Sequence, residues 1–352
     1  MHAIIPPYLL ARLATAEAPH LAVAAEAARA TLATPRVYHP TRANLDVTVE
    51  GDALVFEGSP APDRVISDAQ HRETLPGVRV RGEDDPASDD VAVNQAFDGL
   101  GDTFDLLWDA FGRAAIDGAG GTLEATVHYG QKYDNAFWNG ERMVFGDGDG
   151  EVFTGFTGSV SVIGHELGHG VIEHAGGLEY QGQSGALNES VADVFGALTE
   201  QHLERQNAAE ASWLIGAGIF TDAVQGTALR SMKAPGTAYD DDVLGRDPQP
   251  AHMRDYVEAT EDNGGVHINS GIPNKAFHLV ATALGGYAWE RAGRIWYLTL
   301  TGGRLSRTAD FAAFAAETVA VAAREYGEDS EEADAVRTAW SAVGVVNGDE
   351  RS

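Results

Sequence analysis

Cysteine is absent from all 352 residues. That excludes disulfides, thiolate metal sites and cysteine nucleophiles, so any bound metal must be held by His, Asp or Glu. Basic residues are scarce: 24 Lys and Arg stand against 53 Asp and Glu, a formal net charge of −29. Such a field repels phosphate backbones and anionic headgroups, which removes nucleic acid and membrane surfaces from the expected partners. No apolar run approaches the ~18–20 residues of a membrane span. The front, MHAIIPPYLLARLA, lacks a basic n-region and carries two prolines within its apolar stretch, making it a poor export signal. Secretion by a signal-independent route and cytoplasmic residence are both compatible with it.

What is present is enough to build cores. Hydrophobic residues make up 44% and charged ones 22%, ordinary values for a folded chain of one large or two medium domains. Residues 1–34 carry an Ala-rich helical pattern, and LDVTVEGDALVFEG (45–58) alternates around a Gly-Asp turn like a β-hairpin. GSPAPDR (58–64) follows as a small, Pro-containing linker, a natural place for nicking. The boundary of a front module is therefore placed at Arg64. Apolar residues recur at helical spacing in 91–113, 158–175 and 186–205, while TLEATVHYG and ERMVFGDG read as strands on either side of YDNAFWNG. From about 210 onward the pattern is mainly helical, notably in 274–300 and 310–327. Strands early and helices late predict an α+β domain followed by a helical one.

The chemistry concentrates in SVIGHELGHG (161–170). Four residues turn an α-helix to within about 40° of the starting direction, so His165 and His169 share a face. Two imidazoles on one face can grip a divalent ion while Glu166 reaches a water beside it. Gly168 and Gly170 cost a helix about 1 kcal/mol each, which the apolar flank of Val162, Ile163, Leu167, Val171 and Ile172 offsets. In ALNESVADVFGALTE (186–200), Glu189 and Asp193 again lie four apart. By themselves they read equally well as solvated surface acids. Beside HELGH, Glu189 is the candidate third ligand, and Asp193 is placed to accept the free N–H of a ligand histidine.

HELGH followed by NESVAD at this separation resembles the thermolysin-like metallopeptidases. YDNAFWNGERMVFGDGDG (133–150), GLEYQGQSGALNE (177–189), LRSM (229–232) and DNGGVHINSGIPNKAF (262–277) match family segments in order. The likeness implies a two-domain fold with residues 65–205 as an N-terminal α+β domain carrying the zinc helix, and 206–347 as a helical domain. It implies one catalytic Zn2+ on His165, His169 and Glu189, with Glu166 as the base. It also implies that Tyr180 and His267 donate to the developing oxyanion and that Asp262 orients His267. Asn135 and Arg230, with the main chain at Ala136 and Trp138, match positions that hold a peptide substrate. Phe153, Phe156, Val162, Ile215 and Leu229 would wall the pocket for the residue after the cut, which predicts cleavage before bulky hydrophobic residues of peptides and proteins.

Two departures stand out. Many relatives hold calcium near the zinc helix on clustered carboxylates, but here Ser161 and the acid-free ASWLIGAG (211–218) occupy the matching positions, so no calcium is expected at that site. At the front, IIPPYLL (4–10) resembles the short pro-segment of the protealysin-like branch, where a cysteine often precedes the motif; here that position is His2. Residues 1–64 are accordingly read as a pro-segment, a helix plus a β-hairpin. Its tip would lie in the cleft, held by Pro6, Pro7 and Tyr8, with His2 approaching the zinc. The rival reading is a catalytically silent relative that uses the cleft as a peptide-binding module.

Overall fold

The computed structural model describes residues 2–35, 49–50, 53–54 and 61–346. Helix α1 (Pro7–Ala14) starts with proline at its first position, where no backbone N–H is needed, and buries Leu9, Leu10 and Leu13. Helix α2 (Ala22–Ala33) packs its alanine face inward. Of the expected hairpin, β1 (Val49–Glu50) and β2 (Ala53–Leu54) are described and pair antiparallel; the rest of 45–58 and the start of the linker lie outside the described residues.

Next come β3 (Arg64–Asp68), β4 (Val78–Gly82), α3 (Val91–Phe111), β5 (Leu123–Val127), β6 (Ala136–Trp138) and β7 (Met143–Phe145). They form one five-stranded sheet in the order β4-β3-β5-β7-β6, with β3, β5 and β7 parallel and β6 at an edge. Arg64, expected to close the front module, instead opens β3. Its guanidinium pairs with Glu83 at 2.6 Å and lies over the Phe97 ring at 3.8 Å. The strand β6 falls within YDNAFWNG, which the sequence pattern had left between strands.

Two helices follow, α4 (Val160–His174) and α5 (Gly182–Glu204), and they pack closely along their length. Small residues allow the approach. A Cβ on Gly196 would lie 2.4 Å from the Ser161 carbonyl oxygen, and one on Gly168 would lie 3.0 Å from the Ala192 Cα. Those glycines weaken each helix locally but permit the contact that brings the two histidines near Glu189.

The expectation of mainly helical structure from about 210 fails for residues 205–261. That stretch holds β8 (Leu214–Ile215), β9 (Arg230–Ser231), β10 (Asp240–Asp241) and β11 (Gly245–Arg246), with turns between them. Its frequent Gly, Pro and Asp favour turns over a continuous helix, and aspartates cap the turns, as Asp241 Oδ1 does for Val243 and Leu244 N–H. Beyond it come α6 (Asp262–Asn269), α7 (Gly271–Leu284), α8 (Ala292–Thr301), α9 (Phe311–Tyr326) and α10 (Glu331–Ala342). The expected helix 274–300 is thus two helices, broken at Gly285, where φ is +65°. The front segment, the sheet and the helices share a hydrophobic core that includes Ile4, Ile5, Phe153, Leu167, Phe277 and Trp340.

A buried acid pair lies beside this core. Both oxygens of Asp134 lack a hydrogen-bond donor. Neighbouring Asp149 already accepts from the N–H groups of Glu151 and Val152 at 2.6 Å. Burial, then the Asp149 charge, raises the Asp134 pKa to about 9, so a proton is held at neutral pH. At this residue the folded state therefore binds more protons than the unfolded chain between about pH 4 and 9, and its contribution to stability falls as pH rises through that window. Asp134→Asn is expected to stabilise the chain at pH 8 by about 1–3 kcal/mol and to flatten this slope. Thermal unfolding of both chains at pH 5 and pH 8 checks it; equal slopes refute it.

Candidate metal centre and peptide cleft

The second and third turns of α4 bring His165 and His169 onto the face that meets α5, both buried. Each ring is fixed from behind: His165 Nδ1 lies 2.7 Å from Asp193 Oδ1, and His169 Nδ1 lies 2.8 Å from Asn188 Oδ1. With Nδ1–H donated on both rings, the two Nε2 atoms face each other at 3.1 Å as lone pairs. Glu189 completes the set, with oxygens 3.6 Å from His165 Nε2 and 3.4 Å from His169 Nε2. Its Oε2 is buried and has no hydrogen-bond donor. Two facing imidazole lone pairs and an unsatisfied carboxylate oxygen, buried together, fit a divalent cation; nitrogens bound to one tetrahedral zinc stand roughly 3.3 Å apart. Burial lowers the His169 pKa, which keeps that ring neutral and able to ligate.

Asp193 sits one layer out. Burial alone would neutralise it, but Arg230 and His165 hold its carboxyl well below the usual range. Arg230 reaches it through Nε at 2.9 Å and NH2 at 2.8 Å, and Asn274 Nδ2 adds a third donor at 2.8 Å. Glu166, buried beside the pair, accepts from the Trp138 N–H at 2.8 Å.

Across the cleft the chain runs through left-handed backbone at Asp262, Asn263, Gly264 and Gly265 before His267. Asp262 thereby accepts from both the His267 N–H at 3.0 Å and Nδ1 at 2.6 Å. Burial opposes charge on His267, but Glu189 and Asp262 outweigh it and raise its pKa to about 9. The Tyr180 hydroxyl hydrogen-bonds Glu189 and lies 3.2 Å from His267 Nε2.

The cleft is occupied by this chain's own front. Ile4 N–H donates to the Ala136 carbonyl at 3.1 Å, on the free edge of β6. Asn135 brackets Ile5, its Oδ1 accepting from Ile5 N–H at 2.9 Å and its Nδ2 donating to Ile5 C=O at 3.1 Å. Arg230 NH1 reaches the Ile4 carbonyl at 3.3 Å, and His267 Nε2 lies 3.1 Å from the Ala3 carbonyl. His2 stacks on His169 with ring centroids 4.0 Å apart, and the two rings and Glu189 offer ligand atoms within 4.8 Å of one another. Phe153, Phe156, Val162, Ile215 and Leu229 are all buried in the core that also takes Ile4 and Ile5. Pro6 caps α1, Pro7 opens it, and Tyr8 packs against the same core.

Four hydrogen-bonding groups around the site lay beyond the sequence reading: Asn188, Asn274, the Trp138 N–H as donor to Glu166, and Glu173, which accepts from Trp138 Nε1 at 3.1 Å. Only Asn188 carried a signal, being next to Glu189 on the same helix.

An α+β sheet domain joined to a helical one, with a histidine pair and a glutamate from packed helices in the cleft, defines a class: the two-domain metallopeptidases. The comparisons narrow it. Residues 37–173 match the thermolysin metallopeptidase catalytic domain, and residues 176–345 match the thermolysin metallopeptidase alpha-helical domain. An extracellular metalloprotease of Pectobacterium carotovorum subsp. carotovorum is 53% identical over 80% of this chain and 81% of its own. A thermolysin of Alicyclobacillus acidocaldarius subsp. acidocaldarius is 40% identical over 79% of this chain, which spans 50% of that relative. The solved precursor of protealysin, a metalloproteinase from Serratia proteamaculans, superposes with a TM-score of 0.89 at 48% identity, covering 98% of this chain and 100% of that one. The chain belongs to the thermolysin-like family of metallopeptidases, in its protealysin-like branch, and the family implies zinc.

Proposed function

We propose that the chain is a zinc-dependent endopeptidase made as a proenzyme, and that it cuts before bulky hydrophobic residues with Glu166 as proton acceptor. The strongest support is the convergence of His165, His169 and Glu189 beside a buried Glu166. Zinc held there would acidify a water and polarise the scissile carbonyl. Glu166 takes the proton of the attacking water and passes it to the leaving amine. Tyr180 and His267 donate to the carbonyl oxygen as its charge develops, and Asp262 keeps His267 aimed and charged. Asn135, the Ala136 carbonyl and Arg230 hold the peptide backbone, as they hold Ala3–Ile5 here.

Specificity follows from the walls. Ile4, whose carbonyl meets Arg230, occupies the place of the residue after the cut, and the five apolar side chains offer it no polar partner. A calcium ion is not assigned beside the zinc helix. The Ser161 hydroxyl accepts from Gly216 N–H at 3.1 Å and Glu200 accepts from the Ser212 hydroxyl at 2.9 Å, so these groups are already hydrogen-bonded. The pro-segment comprises the residues ahead of β3. Processing falls in the linker that leads to Arg64, where Ala61 and Asp63 are exposed, and ahead of Arg64 itself, which is built into the sheet.

The processed chain is expected to hydrolyse blocked peptides with Leu or Phe after the cut at least about tenfold faster than those with Gly, since even one buried methylene in an apolar pocket is worth about that much. Chelation should abolish both activities and Zn2+ should restore them. Activity that survives complete metal removal, or a preference for acidic residues at that position, refutes the reading.

A further inference from the structure

A second constellation stands at the carboxyl ends of three sheet strands. Strands β3, β5 and β7 are adjacent and parallel, so their carboxyl ends emerge side by side. His71 follows β3, His128 is the first residue after β5, and Asp147 follows β7 in the GDGDG loop. In parallel sheets that end is where ligands are commonly held. Backbone bonds lock the three loops together: His71 N–H to His128 C=O at 2.9 Å and Tyr129 N–H to Phe145 C=O at 3.0 Å.

The side chains converge on one point. Asp147 offers Oδ1 to His128 Nδ1 at 2.8 Å and Oδ2 to His71 Nδ1 at 3.2 Å. The three ligand atoms lie within 4.8 Å of one another. Behind His128, Nε2 meets Asp90 Oδ2 at 2.8 Å. Asp90 is itself fixed, its Oδ1 capping α3 through the Ala92 and Val93 N–H groups. A carboxylate on the far nitrogen of an imidazole orients a metal ligand, and His165 has the same arrangement with Asp193. A ring set between two carboxylates demands a positive charge. A cation held at its Nδ1 would supply that charge.

We propose that His71, His128 and Asp147 form a second metal site that binds a divalent transition ion such as Zn2+, separate from the catalytic centre. Two imidazoles and one carboxylate suit zinc, nickel, cobalt or copper rather than calcium or magnesium, which prefer oxygen ligands. The His71 side chain is 53% exposed and Asp147 32%, so water completes the coordination and the ion exchanges freely. A bound ion would pin the ends of three strands and stabilise the N-terminal sheet by mass action.

The test uses the full, untagged chain carrying Glu166→Ala to keep it uncut, stripped of metal and titrated with Zn2+ alone, with bound metal counted at equilibrium by dialysis against defined free Zn2+. Two ions per chain are expected, one held tightly and one weakly. His71→Ala, at a largely exposed residue, should weaken the second event at least about tenfold and leave the first untouched. Asp90→Asn retains the helix cap and should weaken the second event about 10–100-fold through the lost carboxylate. Glu189→Gln should remove the first event and spare the second, which separates this site from the catalytic one. One ion per parent chain, or a second event indifferent to both His71→Ala and Asp90→Asn, overturns the proposal.

Discussion

Glu166→Gln is expected to lower casein hydrolysis by between about a hundredfold and ten-thousandfold while leaving the zinc content unchanged. Glutamine keeps the size of the side chain, and its amide oxygen can still accept from the Trp138 N–H, as the Glu166 carboxylate does at 2.8 Å. Only the ability to take a proton is lost. Glu166→Ala removes both and should be at least as damaging. If glutamine cost little, the attacking water would be deprotonated elsewhere and the role given to Glu166 would be wrong. The same assay separates an enzyme from a silent peptide-binding relative, because the latter shows no hydrolysis for either substitution to remove. Measuring zinc alongside rate is what makes the result specific. Glu166 is adjacent in sequence to the ligand His165, and a lost ion would mimic a lost base.

How legible this arrangement was in the sequence depends on how local its parts are. The pair His165 and His169 could be read because helical geometry fixes a four-residue spacing before any tertiary contact forms. The same rule puts Glu189 and Asp193 on one face of their own helix, but only HELGH beside them made them more than surface acids; Glu189 lies 3.6 and 3.4 Å from the two rings and Asp193 2.7 Å from His165. Residues that meet only after the domains pack, such as Asn274 on Asp193, left no pattern. The His71, His128 and Asp147 group was equally silent, since it depends on three parallel strands ending in register. The helical expectation for residues 205–261 failed for a related reason. Scattered apolar residues there serve short strands and turns docked on a core, and periodicity alone does not distinguish those from a helix. The front segment was legible only through its family likeness. No local rule says that IIPPY will run along the edge of β6.

Removing residues 1–10 from the chain is expected to raise its peptidase activity by on the order of a hundredfold, because a tethered occupant competes with substrate at a high effective concentration. The front does more than cover the cleft. Its Ile4 N–H, Ile4 carbonyl and Ile5 amide groups use the Ala136 carbonyl, Arg230 and Asn135, and its Ala3 carbonyl lies 3.1 Å from His267 Nε2. If Asn135, Arg230 and His267 have the roles proposed for them, the Ala3–Ile4 bond lies beside the donors that would assist a cut. An occupant so placed would persist only if the attacking water were excluded, and the candidate for excluding it is His2, which stacks on His169 at 4.0 Å and groups with His169 and Glu189. His2→Ala isolates that contribution, since it leaves Ile4, Ile5 and the α1 leucines in the core. If the imidazole is the block, this variant should gain activity and lose its first three residues, giving a chain that begins at Ile4 by mass spectrometry. Deletion of the whole stretch also removes Ile4, Ile5, Leu9 and Leu10, about 1.5–3 kcal/mol of burial each, so its melting temperature must be measured beside its rate. A stable deletion chain with unchanged activity would mean that the front is a structural brace and that inhibition lies elsewhere. An intact, inactive His2→Ala chain beside an active deletion would assign the block to the backbone of Ala3–Ile5 rather than to the imidazole.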